Sequence, residues 1–342
     1  MTDDLDFEHF ALIIMGHSAF QLLWSGMQLD IFDFLSKNPG ASRAEIAEKT
    51  GLQPQPARVL LTGLAALKLL LKDGDSYRNS GIADELLVRD RPGNMVDVAG
   101  WQAHIVYPGL LDFLESLKRN TNVGLRRFPG EEDNLYQRLA HDPFLEKVFH
   151  DAMSSLSLAA NAMLVEKVDF STVRHLVDAG GGDATNAITL ARAHPHLRIT
   201  VFDAPTVCER ATANIAAAGL SERIDAYPGD FFKRDFPPGI DCILFAHMMT
   251  IWTLEKDTEL LRVAHGALPL GGRVILFNMM GNDSEDGPLS TALGSPYFLA
   301  IATGQGMLHS WRDYEQCLNA AGFLQTQRLA LPRDHGVLTG VK

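Results

Sequence analysis

The sequence predicts an α/β protein in two parts: helices first, then a parallel sheet covered by helices. Three observations carry this. Apolar residues recur at three- and four-residue spacing as far as about Leu117. From about Val173, short apolar runs alternate with helical stretches. The first of those runs ends in Gly180-Gly181-Gly182, where a strand should turn into a helix. Strands alternating with helices imply parallel pairing with both sheet faces covered.

In the first part, Phe20, Leu23, Trp24, Met27, Ile31 and Leu35 fall on one helical face, and Pro39-Gly40 ends that helix. Ser42 and Glu45 form a capping box for the next helix, which Gly51 stops. Gln55 to Leu71 is apolar along most of its length, Asp73-Gly74-Asp75 signals a turn, and Ser76-Tyr77-Arg78-Asn79 predicts a short strand of a wing. A DNA-reading helix should present several arginines and lysines. Gln53-Pro54-Gln55-Pro56-Ala57-Arg58-Val59-Leu60-Leu61 presents one basic residue and many apolar ones, which favours a packed interface between two subunits.

In the second part, Val173–Asp178, Arg198–Asp203, Ile224–Tyr227, Cys242–Ala246 and Arg273–Phe277 read as strands. Ala184–Ala193 and Glu255–Ala267 read as intervening helices, and Arg119–Asp133 as a surface loop. The expected division is 1–100, a helical domain; 101–170, a helical connector lining a substrate pocket; and 171–342, the α/β domain.

With 342 residues, 46% hydrophobic and 21% charged, the chain is long enough for a large core. Its net charge of -12 speaks against nucleic acid as a partner, because binding phosphates needs a basic face. No long uncharged apolar run predicts a membrane span, and the acidic start Asp3-Asp4-Leu5-Asp6 lacks the basic residues of a secretory signal. Cys208, Cys242 and Cys317 are far apart, which predicts reduced core thiols and a cytoplasmic protein.

Glycines at 180–182 let a ligand approach the backbone, and the following helix start offers free N–H groups. Asp203 ends the next strand, where a carboxylate accepts ribose hydroxyls. Asp178 beside the glycines would repel a pyrophosphate but suits a sulfonium and an ammonium group. Asp230 at the end of the third strand suits an adenine amino group, and Phe231 its ring face. Singly, Asp203 is also readable as a helix N-cap, and Asp230-Phe231 as a turn plus a core aromatic. In this order they predict S-adenosylmethionine.

Asp178-Ala179-Gly180-Gly181-Gly182, Val201-Phe202-Asp203-Ala204-Pro205 and Gly229-Asp230-Phe231-Phe232 resemble the successive cofactor motifs of the plant caffeic-acid-type O-methyltransferases and their bacterial relatives in antibiotic biosynthesis. The resemblance covers nearly the whole chain. Ala19-Phe20-Gln21-Leu22, Leu29-Asp30-Ile31-Phe32 and Trp101 are similar to the family's dimerisation domain, and Ala320-Ala321-Gly322-Phe323 to its C-terminal helix. It implies a Rossmann-like catalytic domain behind an α-helical, winged-helix-like dimerisation domain. It also implies a homodimer formed through the N-terminal domain. Gly180, Gly182, Asp203, Asp230 and Phe231 would join Asp178 in holding the cofactor. Ala184 stands where relatives usually carry glycine, and its methyl group is expected to be tolerated.

The O-methylating members carry a His-Asp-Trp motif after the fourth strand, whose histidine takes the phenol proton and is oriented by two glutamates. Aligned on Trp252, this chain has Thr250 and Ile251 in place of the histidine and aspartate. Asn278 and Leu308 replace the glutamates. A threonine hydroxyl does not titrate near neutral pH. One reading is that His247 or His309 takes over the role in an O-methyltransferase. Another is a cofactor-binding protein without activity. The favoured reading is methylation of a ring carbon, where the ring itself is the nucleophile. Some antibiotic-pathway relatives methylate the rings of tyrosine or 3-hydroxykynurenine. The candidate catalytic residues are Thr250, His309, His104 and Tyr107. Phe149, Met153, Tyr297 and Asn278 are the candidate contacts to a small aromatic substrate. Each of the aromatic and histidine candidates is equally readable as a buried core group. A metal held by His247 and neighbouring carboxylates has no supporting spacing, so none is expected.

Overall fold

The computed structural model describes residues 5–233 and 236–342. It divides into two compact units. The first is residues 1–104 with 148–156, and the second is residues 105–147 with 157–342. The long helix Pro143–Lys167 contributes to both.

In the first unit the expected single helix is two, Gly16–Gln28 and Ile31–Lys37. The break is at Asp30, whose φ is 55°. An aspartate tolerates that left-handed turn better than most residues, and apolar periodicity does not reveal it. The capping box forms as read: Ser42 Oγ accepts from the Glu45 N–H, and Gly51 ends the helix Arg43–Thr50 with φ 70°. The helix Pro54–Ala66 follows. Strands β1 (Ala41–Ser42), β2 (Leu70–Asp73) and β3 (Ser76–Asn79) make a small antiparallel sheet in the order β1-β3-β2. The turn between β2 and β3 is at Gly74. Phe32, Leu35, Ile46, Leu61, Leu64 and Tyr77 form the core between these elements.

The second unit is built on a seven-stranded sheet, order β6-β5-β4-β7-β8-β10-β9. Its parallel strands are β4 (His175–Ala179), β5 (Arg198–Asp203), β6 (Ile224–Pro228), β7 (Cys242–Ala246) and β8 (Arg273–Met279). All five sit where the sequence places them, and successive residues face opposite layers. Leu176, Val201, Leu244 and Ile275 pack on one side, and Val177, Phe202, Phe245 and Leu276 on the other. Strands β9 (Leu324–Ala330) and β10 (His335–Val341) complete the sheet in antiparallel pairing and were not anticipated.

The expected surface loop 119–133 is partly a 3-10 helix, Val123–Arg127, with Val123 and Leu125 buried. Gly124 is why this turn can be buried: a Cβ there would lie 2.2 Å from the Gly109 carbonyl oxygen. Among the described residues the three cysteines are unpaired and buried, and no single helix is long and apolar enough to cross a membrane.

Strand order reverses at β4, with β5 and β6 on one side and β7 and β8 on the other. In open sheets of this kind, ligands bind beyond the carboxyl ends of the strands at that point. The segments that follow β4, β5, β6, β7 and β8 therefore define the site.

Candidate active site

After β4 the chain passes through Gly180 (φ 71°), Gly182 (φ 59°) and Ala184 (φ 72°) before the helix Thr185–Ala193 begins. Gly181 admits no side chain, because a Cβ would lie 2.7 Å from an Asp178 carboxylate oxygen. The Gly182 N–H donates to the Asp203 carboxylate at 2.9 Å, and the Ala204 N–H donates to it at 2.7 Å. The structure thus brings Asp178, Gly180, Gly182 and Asp203 together.

Asp178 is fully buried, and neither of its carboxylate oxygens has a hydrogen-bond partner among the described residues. Burial, with smaller contributions from Asp203 and Asp183, pushes its carboxyl up to about 7. Burial also raises Asp203, against the two N–H donors that lower it. Two inward carboxyls without a protein cation are costly unless a positive ligand answers them. That donor set fits S-adenosylmethionine, which carries a sulfonium and an ammonium, and not a pyrophosphate.

The end of β6 is tied to the end of β5 by Gly229 N–H to Asp203 carbonyl, 3.0 Å. Phe231 stands edge-on to Phe202 and Trp252, each with ring centroids 5.8 Å apart. Asp230 accepts from the Phe232 N–H at 3.0 Å and pairs with Lys233 at 3.1 Å. The local-turn reading of Asp230 therefore holds in the structure, and any contact to an adenine would be additional to it.

The segment replacing the His-Asp-Trp motif is held by a strap, residues 303–309. The Thr303 hydroxyl donates to the Ile251 carbonyl. Gly306 lies against Thr250, where a Cβ would be 2.0 Å from the carbonyl oxygen. His309 Nε2 meets the Trp252 carbonyl at 3.4 Å. A carbonyl only accepts, so Nε2 carries the proton and a neutral His309 keeps Nδ1 as an acceptor. Burial lowers the His309 pKa, which favours that neutral ring. Thr250 is buried, and its hydroxyl donates to the His247 carbonyl at 3.5 Å. Leu308 donates its N–H to Ser295 Oγ at 3.1 Å.

His247 adopts φ 55° directly after β7. Its Nε2 is buried without a partner among the described residues, and burial, then the neighbouring His335, push its pKa down to about 3. Its ring lies 4.8 Å from Phe277 and 5.3 Å from His335. Asn278 is fully buried on β8 opposite Gly336, with neither side-chain amide atom partnered among the described residues. His335 escaped sequence reasoning, because the strand that delivers it carries no signal of its own. Gly306 escaped for a similar reason: a lone glycine in a loop does not announce what it touches.

The remaining candidates are divided between the units. His104 is in the first, with its ring 5.4 Å from Trp24 and perpendicular to it. Phe149 and Met153 are also in the first, on the helix Pro143–Lys167. Tyr107 and Tyr297 are in the second, with Thr250, Asn278 and His309. Tyr297 is buried, and its hydroxyl interacts with that of Tyr136. His104 lies in the π-helical stretch Gln102–Val106, and Tyr297 directly precedes another, Phe298–Ala302. Such turns recur at functional sites.

The O-methyltransferase domain family model matches residues 118–324, and the O-methyltransferase dimerisation domain matches residues 12–89. The chain is 42% identical to an L-tyrosine C(3)-methyltransferase of Streptomyces lavendulae, over 99% of this chain and 93% of that protein. It is 32% identical to a 3-hydroxy-5-methyl-1-naphthoate 3-O-methyltransferase of Streptomyces sahachiroi, over 94% and 91% of the two. The apo crystal structure of the S-adenosylmethionine-dependent methyltransferase SibL superposes with a TM-score of 0.89 at 38% identity, covering 98% of this chain and 99% of that one. Human N-acetylserotonin methyltransferase in complex with S-adenosylmethionine shares the fold, with a TM-score of 0.83 at 23% identity over 100% and 99% of the two chains. With its glycine loop, its unanswered Asp178 carboxyl and a dimerisation domain ahead of them, the chain is an S-adenosylmethionine-dependent methyltransferase that belongs to the O-methyltransferase family.

Proposed function

We propose that the protein methylates a ring carbon of a small phenolic compound in secondary metabolism, an aromatic amino acid such as tyrosine or 3-hydroxykynurenine. We propose further that it works as a cytoplasmic homodimer. The observation that carries the ring-carbon reading is the replacement of the O-methylation base and both its orienting acids by Thr250, Asn278 and Leu308, none of which exchanges a proton near neutral pH. Similarity to a tyrosine C(3)-methyltransferase over 99% of the chain supports the same reading.

The cofactor supplies an electrophilic methyl group on a sulfonium. Asp178, Gly180, Gly182, Asp203, Asp230 and Phe231 are the residues proposed to hold it. A phenol donates electron density to the carbon ortho to its hydroxyl, so that carbon attacks as the nucleophile. What the protein must supply is chiefly alignment of that carbon with the methyl group. Tyr107 and Tyr297 are proposed to position the ring, with Thr250 as a further polar contact. Asn278, with a buried donor and a buried acceptor to spare, is proposed to bind a polar group of the substrate. His309 is proposed to accept the phenol proton at Nδ1; once the new carbon–carbon bond has formed, the ring proton leaves to water and His309 returns its proton to the phenol oxygen.

The test is NMR of the product made with methyl-labelled S-adenosylmethionine and a panel of tyrosine, 3-hydroxykynurenine and hydroxyanthranilate. The expected signal is a methyl carbon coupled to an aromatic carbon, with the hydroxyl retained. A methoxy signal would overturn the proposal and transfer the role of O-methylation base to His309 or His247.

A further inference from the structure

Within the second unit, a cavity of about 720 Å³ lies at the start of the strap. Arg119, Arg126 and Arg138 line it, with Asp133, Thr303 and Gln305. Guanidiniums gathered around one cavity are unexpected in a chain whose net charge is -12. Arg138 is held by the backbone. Its Nε donates to the Glu132 carbonyl at 2.7 Å, and a terminal nitrogen donates to the Leu125 and Phe128 carbonyls at 3.1 and 3.2 Å. Carbonyls are neutral acceptors, so this guanidinium is fixed without being neutralised. Arg126 and Arg127 share one carboxylate, that of the buried Asp112. Arg119 ends the helix Phe113–Arg119 and has no partner among the described residues. Asp133 brings a carboxylate to the same cavity, while the neighbouring Glu132 is paired with His141. Four arginines (119, 126, 127 and 138) against two aspartates (112 and 133) leave an excess of two positive charges.

Two contacts tie this cavity to the segment that replaces the O-methylation base. Thr303, in the cavity wall, donates its hydroxyl to the Ile251 carbonyl, next to Thr250. The short helix Leu135–Arg138 carries Arg138 to the cavity and Tyr136 to the Tyr297 hydroxyl. The strap therefore starts at the cavity, with Thr303 and Gln305, and ends at His309. We propose that the cavity binds the α-carboxylate and ammonium of the amino-acid substrate, the carboxylate on its arginines and the ammonium on Asp133. The inference rests on the proposed substrate class, and it names the residues that tell an amino acid from a simple phenol. A planar carboxylate matches the guanidinium fork, which donates two parallel hydrogen bonds. A tyrosine lying along the strap with its hydroxyl at His309 turns its charged end to Thr303. Inorganic phosphate offers similar oxygens but no ammonium, so Asp133 opposes it.

The test is steady-state kinetics of the full-length protein with tyrosine and with tyramine, which lacks only the carboxylate. The wild type should show the lower KM for tyrosine. Arg119→Ala removes no bond among the described residues, so its melting temperature should match the wild type. It should raise the tyrosine KM about fivefold with kcat little changed, and shift the tyramine KM much less. Arg126→Gln, with Arg127 still holding Asp112, should act in the same direction. Asp133→Asn should raise the KM of both substrates, since both carry the ammonium. Equal effects of Arg119→Ala on tyrosine and tyramine, or no effect on either, would overturn the proposal. So would inorganic phosphate that binds the wild type, loses affinity in Arg119→Ala and does not compete with tyrosine, because the cavity would then be a separate anion site. If no phenolic amino acid is methylated, the functional reading fails instead. Calorimetry of tyrosine binding then decides the inference: weaker binding to Arg119→Ala supports it, and equal affinity or no binding to either protein overturns it.

Discussion

With both carboxylate oxygens of Asp178 buried and without a partner among the described residues, the charge on this one residue links pH to stability and to cofactor affinity. Its folded pKa, about 7, lies above its unfolded value. Its contribution to stability is therefore full in acid and is lost as pH rises through about 7. A cationic ligand prefers the carboxylate, so binding should expel a proton there. S-adenosylmethionine affinity should rise with pH until about 7 and then level off, with proton release visible by calorimetry in buffers of different ionisation heat. Asp178→Asn should weaken binding and remove that pH dependence. Gly306 is a second residue with a direct consequence. Gly306→Ala would place a methyl on the Thr250 carbonyl, and neither backbone can yield without moving the strap. A loss of roughly 1–3 kcal/mol in chemical denaturation is expected, with a fall in kcat. Ala184 shows opposing terms of similar size. Its left-handed φ costs roughly 1–2 kcal/mol, glycine would cost up to about 1 kcal/mol in unfolded-chain entropy, and the buried methyl contributes about 0.8 kcal/mol. These nearly cancel, which explains why alanine is tolerated, and Ala184→Gly should be close to neutral.

Among the elements, the helix Trp311–Ala321 matters most to the site, because its N-cap Ser310 directly follows His309. Ser310 Oγ accepts from the Asp313 N–H at 3.2 Å, and the Asp313 carboxylate returns a bond to the Ser310 N–H at 3.0 Å. Ser310→Ala should cost about 1 kcal/mol in thermal unfolding. It should also lower kcat more than KM, since the cap anchors the strap. How legible each element was follows from its burial. Strands β4, β5, β7 and β8 are continuous apolar runs, because both faces are covered, and the sequence places them within a residue or two. Strand β9, Leu324-Gln325-Thr326-Gln327-Arg328-Leu329-Ala330, is exposed along nearly its whole length at the sheet edge, so its composition is that of a loop. Strand β10 contains Gly336 and Gly340, and each is needed for packing: a Cβ at 336 would lie 2.1 Å from Trp311. The proposed cofactor residues were nominated from the sequence because glycines and aspartates recur at successive strand ends. His335 was not, because its place beside His247 comes from a strand distant in sequence.

At the scale of the whole molecule, the dimerisation-domain match over residues 12–89 includes exposed apolar residues. Ile13 is 69% exposed and Ile14 61%, neighbouring apolar surface that suits a partner. Sedimentation velocity should find a dimer, and Ile13→Asp should shift it towards monomer if this helix contributes. A dimerisation domain in front of a cofactor-binding sheet is a family trait and does not choose between oxygen and carbon as the methyl acceptor. The proposed function places that choice at Thr250, Asn278 and Leu308. The direct measurement is mass spectrometry of the product formed from tyrosine deuterated at both ring positions ortho to the hydroxyl. Ring methylation predicts a product that has gained a methyl group and lost one of the two deuterons to water. A methylated product that retains both deuterons would contradict the account.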